Sequence, residues 1–204
     1  MSFTEKKHPD QERASSRRKQ VLDAAEICFG SSGFHGASMA EISKAAGMSA
    51  GHIYNYFDSK DAIIAAFVQH NMERVTNLMG NLEQCEDPLQ AILDDIEKSV
   101  HADLHPGIWK LPLEISAEAS RNPKIAALVR DADCYSRSQL RSIVAKGRAA
   151  RGLETDMATL DGRVEAIICM FQGLPTRALY NPALNEAALV AAFRLALAPL
   201  LFGE

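Results

Sequence analysis

Apolar residues recur at helical spacing along most of this chain, and this pattern restricts the fold more than any other feature of the sequence. One clear stripe consists of Val21, Leu22, Ala25, Cys28 and Phe29. These positions fall on one face of a helix with about 3.6 residues per turn. No convincing alternation of apolar and polar residues predicts a strand, and no internal repeat is visible. The sequence therefore predicts an all-α fold.

Glycine and capping residues divide the first part of the chain into separate helices. The first helix is predicted over residues 17–32, and Gly33 can adopt the left-handed conformation that closes it. Ser38 followed by Glu41 has the form of a capping box, in which each side chain accepts a hydrogen bond from the other residue's backbone. This box opens a second helix over residues 39–46.

A third short helix, predicted over residues 50–57, follows a turn that contains Gly47 and is capped by Ser49. Two short helices joined in this way form a helix-turn-helix motif, whose second helix enters the major groove of DNA. At about 100° per residue, Ile53 and Phe57 lie on the side that faces the preceding helix. The sequence therefore gives the third helix an apolar inner face.

The outer side of the third helix carries residues suited to DNA. Gly51 and Asn55 lie opposite the apolar face. His52 and Tyr54 flank them. An asparagine can form two hydrogen bonds with adenine, and a glycine allows the backbone to approach a base closely. Residues of the types that contact phosphates are Ser49, Tyr54, Tyr56 and Lys60. This distribution indicates that the third helix faces DNA.

Residues 17–64 resemble the DNA-binding domain of the TetR family of bacterial transcriptional regulators. The similarity includes an alanine-rich first helix with Phe29, a Gly-Phe turn, a second helix started by a serine, and the patterns AGMS-x-G and IY-x-YF-x-SK. It extends over three helices rather than one short motif. By this resemblance, the DNA-contacting positions are held by Ser38, Ser49, Ala50, Gly51, His52, Tyr54, Asn55, Tyr56 and Lys60.

The resemblance also implies how such a protein works. Family members are homodimers that bind double-stranded operator DNA, and their variable C-terminal domain binds a small-molecule effector that releases the DNA. The implied protein is a ligand-responsive repressor of a palindromic operator, with no enzymatic activity and no cofactor. The stretch LEISAEASRNPKIAALV further resembles one broad subgroup of the family, but it does not identify a ligand.

Three regions are expected from this interpretation. Residues 1–16 form a flexible basic arm, residues 17–60 the helix-turn-helix DNA-binding domain, and residues 61–204 the ligand-binding and dimerisation domain. The segment 13–19 carries four cations and no anion. A solvated tail and an arm that contacts phosphates or the minor groove both fit this composition.

The last two predicted helices, residues 157–180 and 185–202, carry long apolar stripes. These stripes consist of Ile167, Met170, Phe171 and Leu174 on the first helix, and of Leu189, Ala192, Phe193, Ala196, Leu197 and Leu200 on the second. Two helices with more apolar surface than one chain can cover are expected to meet a second copy in a four-helix bundle. We therefore expect a homodimer, although the stripes do not separate residues at the two-fold axis from residues that pack inward.

An effector pocket is expected in the C-terminal domain, between the helix after Ser59 and the helices up to about Gly173, as the resemblance implies. Trp109 is followed by Glu114 and Glu118, which lie on one helix face. An aromatic wall beside carboxylates suits a lipophilic cation, through cation–π attraction and charge compensation. The other predicted ligand-binding residues are Phe67, Met170 and Phe171. In the competing interpretation, the two glutamates pair with Lys110, Arg121 or solvent, and Trp109 only packs.

The resulting hypothesis is a repressor of an efflux or detoxification gene, released by a small, mostly apolar effector that is cationic in one version. An alternative is a regulator of lipid or other metabolic genes that responds to a neutral or anionic metabolite. A helical enzyme and an architectural DNA-binding protein are alternatives of another class. No nucleophile–base pair or phosphate loop stands out for an enzyme. The sizeable apolar C-terminal region argues against a purely architectural protein.

Other features bear on metals, membranes and compartment. His101 and His105 lie four residues apart, but Pro106 follows and no further ligand pattern is visible, so we expect surface histidines rather than a metal site. The four cysteines form no CxxC pair and predict neither a zinc site nor a disulfide framework. There is no apolar run of about 18 residues and no apolar centre near the N-terminus. We therefore expect a cytoplasmic protein with no membrane partner.

Overall fold

The structure is a computed structural model that describes residues 9–153 and 156–203 and, within them, all side chains except those of residues 9–12, 50 and 106–109. Every regular element in these ranges is a helix, which confirms the predicted all-α fold. The helices are α1 (Pro9–Gly36), α2 (Met39–Ala45), α3 (Ala50–Ile53), α4 (Lys60–Glu83), α5 (Pro88–Asp94), α6 (Ile96–Leu104), α7 (Pro106–Ala119), α8 (Pro123–Ala149), α9 (Met157–Gln172), α10 (Leu174–Tyr180) and α11 (Glu186–Phe202). Residues 1–8 of the predicted basic arm lie outside the described residues.

The chain divides into two compact units, residues up to Phe67 and residues from Val68 onward. The division falls within α4 and later than the expected boundary between residues 60 and 61. Phe67 accounts for the difference, because its ring lies edge-on to that of Phe29 in α1, with centroids 6.3 Å apart. The first turns of α4 therefore belong to the unit that contains α1, α2 and α3.

The core of the first unit combines one apolar face from each of its helices. Its fully or almost fully buried side chains include Val21, Ala25, Phe29, Phe34, Ile42, Ile53, Phe57, Ile63 and Ile64. Burial of an aliphatic or aromatic side chain of this size contributes about 1.5–3 kcal/mol. The apolar stripe predicted for the first helix therefore packs inward as expected.

Helix α1 begins earlier than the sequence analysis predicted. It starts at Pro9 rather than at residue 17, so the described part of the expected flexible arm, residues 9–16, is helical. Proline fits the first turn of a helix, and the Gln, Glu, Arg and Ala residues that follow have high helix propensity. Gly33 interrupts the helical path with φ 70° and ψ 167°, a conformation that favours glycine.

Helix α3 is shorter than predicted. The helix ends at Ile53, whereas residues 54–56 form turns in place of the predicted last helical turn. The N–H groups of Asn55 and Tyr56 donate to the carbonyls three residues earlier, at 3.2 and 3.0 Å. Such bonds tighten the end of a helix into a 3₁₀-like turn. The chain from residue 50 to Phe57 is therefore hydrogen-bonded throughout, but only its first part is α-helical.

The second unit contains the rest of α4 and all of the later helices. Its buried core includes Leu89, Ile96, Val100, Val144, Leu160, Ile167, Leu174, Val190, Phe193, Leu197 and Leu201. Asparagine followed by proline, at 122 and 123, predicts the start of a helix, because asparagine caps helices and proline fits the first turn. Helix α8 begins there, with Asn122 as the cap and Pro123 in the first turn. The helix predicted over 157–180 is instead two helices, interrupted at Gly173. Pro175 explains the interruption, because it lacks an N–H group and its ring crowds the preceding turn.

Helix α11 has different inner and outer faces. Phe193 and Leu197 of the predicted stripe are buried within the second unit. The outward residues are mostly small and apolar, and they are Ala187, Ala188, Ala191, Ala192, Arg194, Leu195, Ala196 and Pro199. Leu195 is 79% exposed. Part of the apolar surface predicted for the last helix therefore lies uncovered in a single chain.

Candidate nucleic-acid interface

The capping box of α2 is formed as predicted. The Ser38 N–H and hydroxyl donate to Oε2 of Glu41 at 2.7 and 2.9 Å, and the Glu41 N–H donates to the Ser38 hydroxyl at 3.1 Å. These hydrogen bonds hold the pKa of Glu41 below its ordinary value. The box fixes the beginning of α2, so the hydroxyl of Ser38, a predicted DNA contact, already has a partner within the chain.

The turn between α2 and α3 depends on a glycine. Gly47 has φ +63°, in the left-handed region that L side chains adopt rarely. The Met48 N–H donates to the Ser43 carbonyl at 2.8 Å, and Gln20 of α1 donates its side-chain amide to the Ala46 carbonyl at 2.6 Å. The end of α2 is therefore joined both to the turn and to α1.

Helix α3 follows this turn with the two faces that the sequence predicted. Ser49 caps it and accepts a hydrogen bond from the His52 N–H at 3.2 Å. Ile53 and Phe57 are 0% and 2% exposed, whereas Tyr54 is 51% exposed. Gly51, His52 and Asn55 are also exposed. The structure therefore brings the residues predicted to read bases onto one accessible surface.

Gly51 is not required by the fold itself. A Cβ atom built at this position would meet no atom within 4 Å outside its own local backbone, and Gly51 does not have a positive φ. Alanine would therefore fit without strain and would favour a helix over glycine by about 1 kcal/mol. A glycine at such a position is explained better by close approach to another molecule than by packing within the chain.

His52 and Tyr56 form a pair on this surface. The Tyr56 hydroxyl lies 3.3 Å from Nε2 of His52, and the ring centroids are 5.5 Å apart with a 38° angle between the planes. Both atoms can share one hydrogen, whichever tautomer the imidazole adopts. The imidazole is therefore held at one edge by the neighbouring turn.

Lys60 has two partners inside the first unit. Its ammonium donates to the Phe34 carbonyl at 2.7 Å and to the Ala37 carbonyl at 2.8 Å, and it lies 4.7 Å from the centroid of the Phe34 ring. The Phe34 carbonyl lies in the last turn of α1, after the interruption at Gly33, and the Ala37 carbonyl lies in the connection to α2. Lys60 was predicted to contact a phosphate, but two of its three ammonium hydrogens are donated to carbonyls of the protein itself.

Arg18 is a residue of this region that the sequence analysis did not single out. Its Nη1 donates to the Tyr56 carbonyl at 2.9 Å, and its guanidinium carbon lies 4.2 Å from the centroid of the Phe57 ring. Helical periodicity places Arg18 on α1, but a contact with residues 38 positions later leaves no local pattern in the sequence. Only the run of cations at 13–19 pointed to this segment.

The predicted effector residues are spread over different parts of the structure. Phe67 packs against Phe29 and is the last residue of the first unit, whereas the other predicted effector residues lie in the second unit. The side chain of Trp109 and that of Ala50, a predicted DNA contact, lie outside the described residues. Met170 and Phe171 pack against the core of the second unit, where the Phe171 ring lies 5.5 Å from that of Phe193.

The two predicted carboxylates of α7 differ in exposure. Glu114 is half-buried, whereas Glu118 is 3% exposed. The Asn122 side-chain amide donates to Oε1 of Glu118 at 3.1 Å, and Nη2 of Arg121 lies 3.9 Å from Oε2. The contact with Arg121 agrees with the competing interpretation, in which this glutamate is compensated within the chain.

An open groove of about 510 Å³ lies between α4 and α8. Its lining consists of Gln69, Met72, Glu73, Thr76, Asn77 and Tyr135. None of the predicted effector residues with a described side chain belongs to this lining. The groove thus lies among the helices where the pocket was expected, but its lining differs from the predicted effector residues.

His101, one of the two histidines considered as metal ligands, contacts an acidic residue of another helix. Nδ1 of His101 lies 3.0 Å from Oε1 of Glu186, so this residue joins α6 to α11. Across residues 9–153 and 156–203, no three His, Cys, Asp or Glu side chains are grouped as a metal site would require. Over the same ranges, no helix has the length and apolar character that a membrane crossing needs.

Each of the two units contains a match to a known protein family. Residues 21–67 match the family model for bacterial regulatory proteins of the tetR family, and residues 86–201 match that for the C-terminal part of BetI-type transcriptional repressors. The transcriptional regulator UidR of Escherichia coli K12 is 30% identical over 157 residues, which are 73% of this chain and 77% of that protein.

Two solved structures illustrate the similarity of fold. GusR of Salmonella enterica has a TM-score of 0.75 at 24% identity and covers 91% of this chain and 95% of its own. FadR of Bacillus subtilis, solved in complex with stearoyl-CoA, has a TM-score of 0.72 at 20% identity and covers 91% of this chain and 98% of its own. At these identities the likeness extends to the fold alone.

The first prediction concerns Lys60. We expect Lys60→Met to lower the free energy of unfolding by about 1–3 kcal/mol, because two carbonyls lose a charged donor. Urea denaturation followed by circular dichroism measures this change. Lys44→Met is the matched control, since Lys44 is an exposed cation of α2, and it is expected to cost less than about 0.5 kcal/mol. Equal stability of the two variants would contradict the structural role of Lys60.

Proposed function

We propose, from the premise that this chain belongs to the TetR family of DNA-binding transcriptional regulators, that the exposed face of α3 reads its operator. Family membership makes the protein a helix-turn-helix regulator of the repressor type and places it in a class that is not enzymatic. The operator face itself is our assignment. It rests on one observation, which is that Gly51 and Asn55 are exposed opposite a fully buried Ile53.

The proposed contacts divide into two groups. Asn55 and His52 read base edges, and Gly51 lets the backbone approach them. Residues that contact phosphates set the register without reading the sequence. This second group consists of Ser38, Ser49, Ala50, Tyr54 and Tyr56. Lys60 also belongs to this second group, but only one of its three ammonium hydrogens remains for a phosphate, because the other two donate to carbonyls.

The second prediction tests base reading. We expect Asn55→Ala to lower the preference for the operator over a shuffled duplex by about 1–3 kcal/mol, because a bidentate base contact is lost. The operator is defined as the duplex that full-length wild-type protein selects from random-sequence DNA. Fluorescence anisotropy at several salt concentrations gives both affinities.

Asn71→Ala is the matched control, since Asn71 is an exposed asparagine of α4 outside the proposed interface. We expect it to leave the preference unchanged. If Asn55→Ala weakens binding to both duplexes equally, Asn55 does not read bases. Failure of the wild-type protein to select any consensus would favour the architectural alternative.

We also propose that the protein is a homodimer, as is typical of the family, and that the second unit carries the dimer surface. The outer face of α11 supports this proposal, because its exposed residues are nearly all alanine, leucine or proline. Arg194, the charged residue among them, lies 3.4 Å from Glu97 of α6. An apolar helix face of this kind is suited to a second copy of the chain.

The third prediction concerns this surface. We expect Leu195→Glu to convert the dimer into a monomer, because a charge at a 79% exposed leucine would be buried without a partner at the interface. Light scattering at micromolar concentration measures the mass. Ile27→Glu is the control, since Ile27 is 70% exposed on α1. A wild-type chain that is already monomeric would exclude the dimer.

The proposed effector is a small, mostly apolar molecule that binds the second unit and releases the operator in the cytoplasm. A cationic effector would use Glu114 and Glu118, whereas the contact of Glu118 with Arg121 supports an effector without positive charge. The complex of B. subtilis FadR with stearoyl-CoA bears on the alternative, a regulator of lipid metabolism, because that ligand joins an apolar chain to anionic groups. Control of an efflux or detoxification gene remains the proposal for a cationic effector.

The fourth prediction separates these effectors. We expect either tetraphenylphosphonium or stearoyl-CoA to release the selected duplex, and coenzyme A without its acyl chain to have no effect, because the binding energy comes from apolar burial. Fluorescence of Trp109, the only tryptophan, gives a second readout. The cationic version is supported if the cation releases DNA from the wild-type protein but not from the Glu118→Gln variant. If none of the three molecules releases DNA, the apolar effector proposal is wrong, while the assignment of α3 stands.

A further inference from the structure

Arg18 attaches the turn that follows α3 to α1. Arg18 places its guanidinium 4.2 Å from the centroid of the Phe57 ring and donates to the Tyr56 carbonyl at 2.9 Å. A planar guanidinium can stack on a ring and donate a directed hydrogen bond at the same time, whereas a lysine ammonium is a compact point charge. The arginine is therefore matched to two adjacent features of the same turn.

This turn needs such a partner because of its local structure. Helix α3 gives way at Tyr54 to bonds between residues three apart. The carbonyls at the end of a helix have no partner within it, and a side chain, water or tighter turn must satisfy them. Arg18 supplies the donor for the carbonyl of Tyr56 from a separate helix.

Tyr56 continues this series of contacts to the outer surface. Its hydroxyl lies 3.3 Å from Nε2 of His52, and the two rings are tilted at 38° with centroids 5.5 Å apart. His52 is exposed, on the face proposed to read bases. Arg18, Tyr56 and His52 thus form a continuous series from α1 to the operator face.

We propose that Arg18 is a positioning residue for operator specificity, which holds the Tyr56 turn and through it the orientation of the His52 imidazole. This inference rests on the proposed reading of DNA by α3. Arg18 does not contact a base in this scheme. Instead it keeps one imidazole orientation in the free protein, so less conformational freedom is lost when the operator binds.

A direct phosphate contact is the other role that an exposed arginine at a DNA-binding surface could have, and the two roles differ in measurable ways. A phosphate contact depends on charge, contributes equally to all sequences and adds about one unit to the salt slope. A positioning contact depends on the planar guanidinium and contributes to the preferred sequence alone. Arg18→Lys keeps the charge and removes the planar group, so it separates the two roles.

The experiment compares full-length wild-type protein with Arg18→Lys, His52→Ala and the double variant. Arg17→Lys is the matched control, because Arg17 is the adjacent exposed arginine and donates to Gln20 on its own helix. Each protein is titrated with the duplex selected from random-sequence DNA and with a shuffled duplex, over a series of salt concentrations. The ratio of the two affinities is the readout, since a loss of folded protein lowers both affinities equally.

We expect Arg18→Lys to lower the preference for the selected duplex by about fivefold or more, with unchanged affinity for the shuffled duplex and unchanged salt slope. In the His52→Ala background, Arg18→Lys should have little further effect, because the two residues act through one contact series. Arg17→Lys should leave the preference unchanged.

Other outcomes overturn the inference in distinguishable ways. Positioning through His52 is excluded if Arg18→Lys leaves the preference for the selected duplex unchanged. It is also excluded if Arg18→Lys lowers this preference equally in the wild-type and His52→Ala backgrounds. If Arg18→Met lowers both affinities and the salt slope while Arg18→Lys changes neither, Arg18 contacts a phosphate. If His52→Ala alone has no effect, this inference fails while reading by Asn55 stands. If the wild-type protein selects no sequence, the proposed function itself fails.

Discussion

Burial of Ile53 and Phe57 is the contact on which the proposed operator face depends. An isolated helix shorter than about 12–15 residues is marginal in water, and α3 spans only Ala50–Ile53. Its shape must therefore come from tertiary contacts, and these two side chains are 0% and 2% exposed. Once they are buried, Gly51 in α3 and Asn55 in the turn that follows lie on the opposite, exposed side. The accessible face is thus a consequence of the buried one, so a substitution in this core would disturb DNA reading without touching DNA.

Two cations of the first unit stabilise the protein's own backbone. Lys60 donates to carbonyls in the last turn of α1 and in the connection to α2, and Arg18 donates to a carbonyl in the turn that follows α3. Each also lies against an aromatic ring of the core. In both places a helix or turn ends with acceptors that helical bonding does not satisfy. The short elements are therefore held at their ends by charged donors and in their middles by apolar packing.

The sequence predicted those parts of the structure that depend on local patterns. The helical fold, the capping box at Ser38, the turn at Gly47 and the cap at Asn122 all follow from spacing and from backbone preferences of single residue types. The interruption before Pro175 was missed although its signal is local, because proline disfavours a helix that continues through it. The end of α3 and the role of Phe67 were not predicted, because each depends on packing against distant residues. The arrangement of the predicted effector residues also depends on packing against distant residues. Helical spacing placed Glu114 and Glu118 on one face, but it carried no information on what that face meets.

The distribution of charge gives a further consequence for DNA binding. The protein has a formal net charge of −4, so long-range attraction to DNA cannot come from the chain as a whole. Between residues 13 and 60, Lys19 is paired with Asp23 at 2.7 Å, and Arg18 and Lys60 donate to carbonyls. Every cation used in this way contributes less to counterion release, which is the main source of affinity for DNA of any sequence. In the proposed interface, the orientation of His52 and Asn55 then becomes correspondingly more important for binding. Arg18 and Lys60 thus contribute more to the shape of the proposed operator face than to general affinity for DNA.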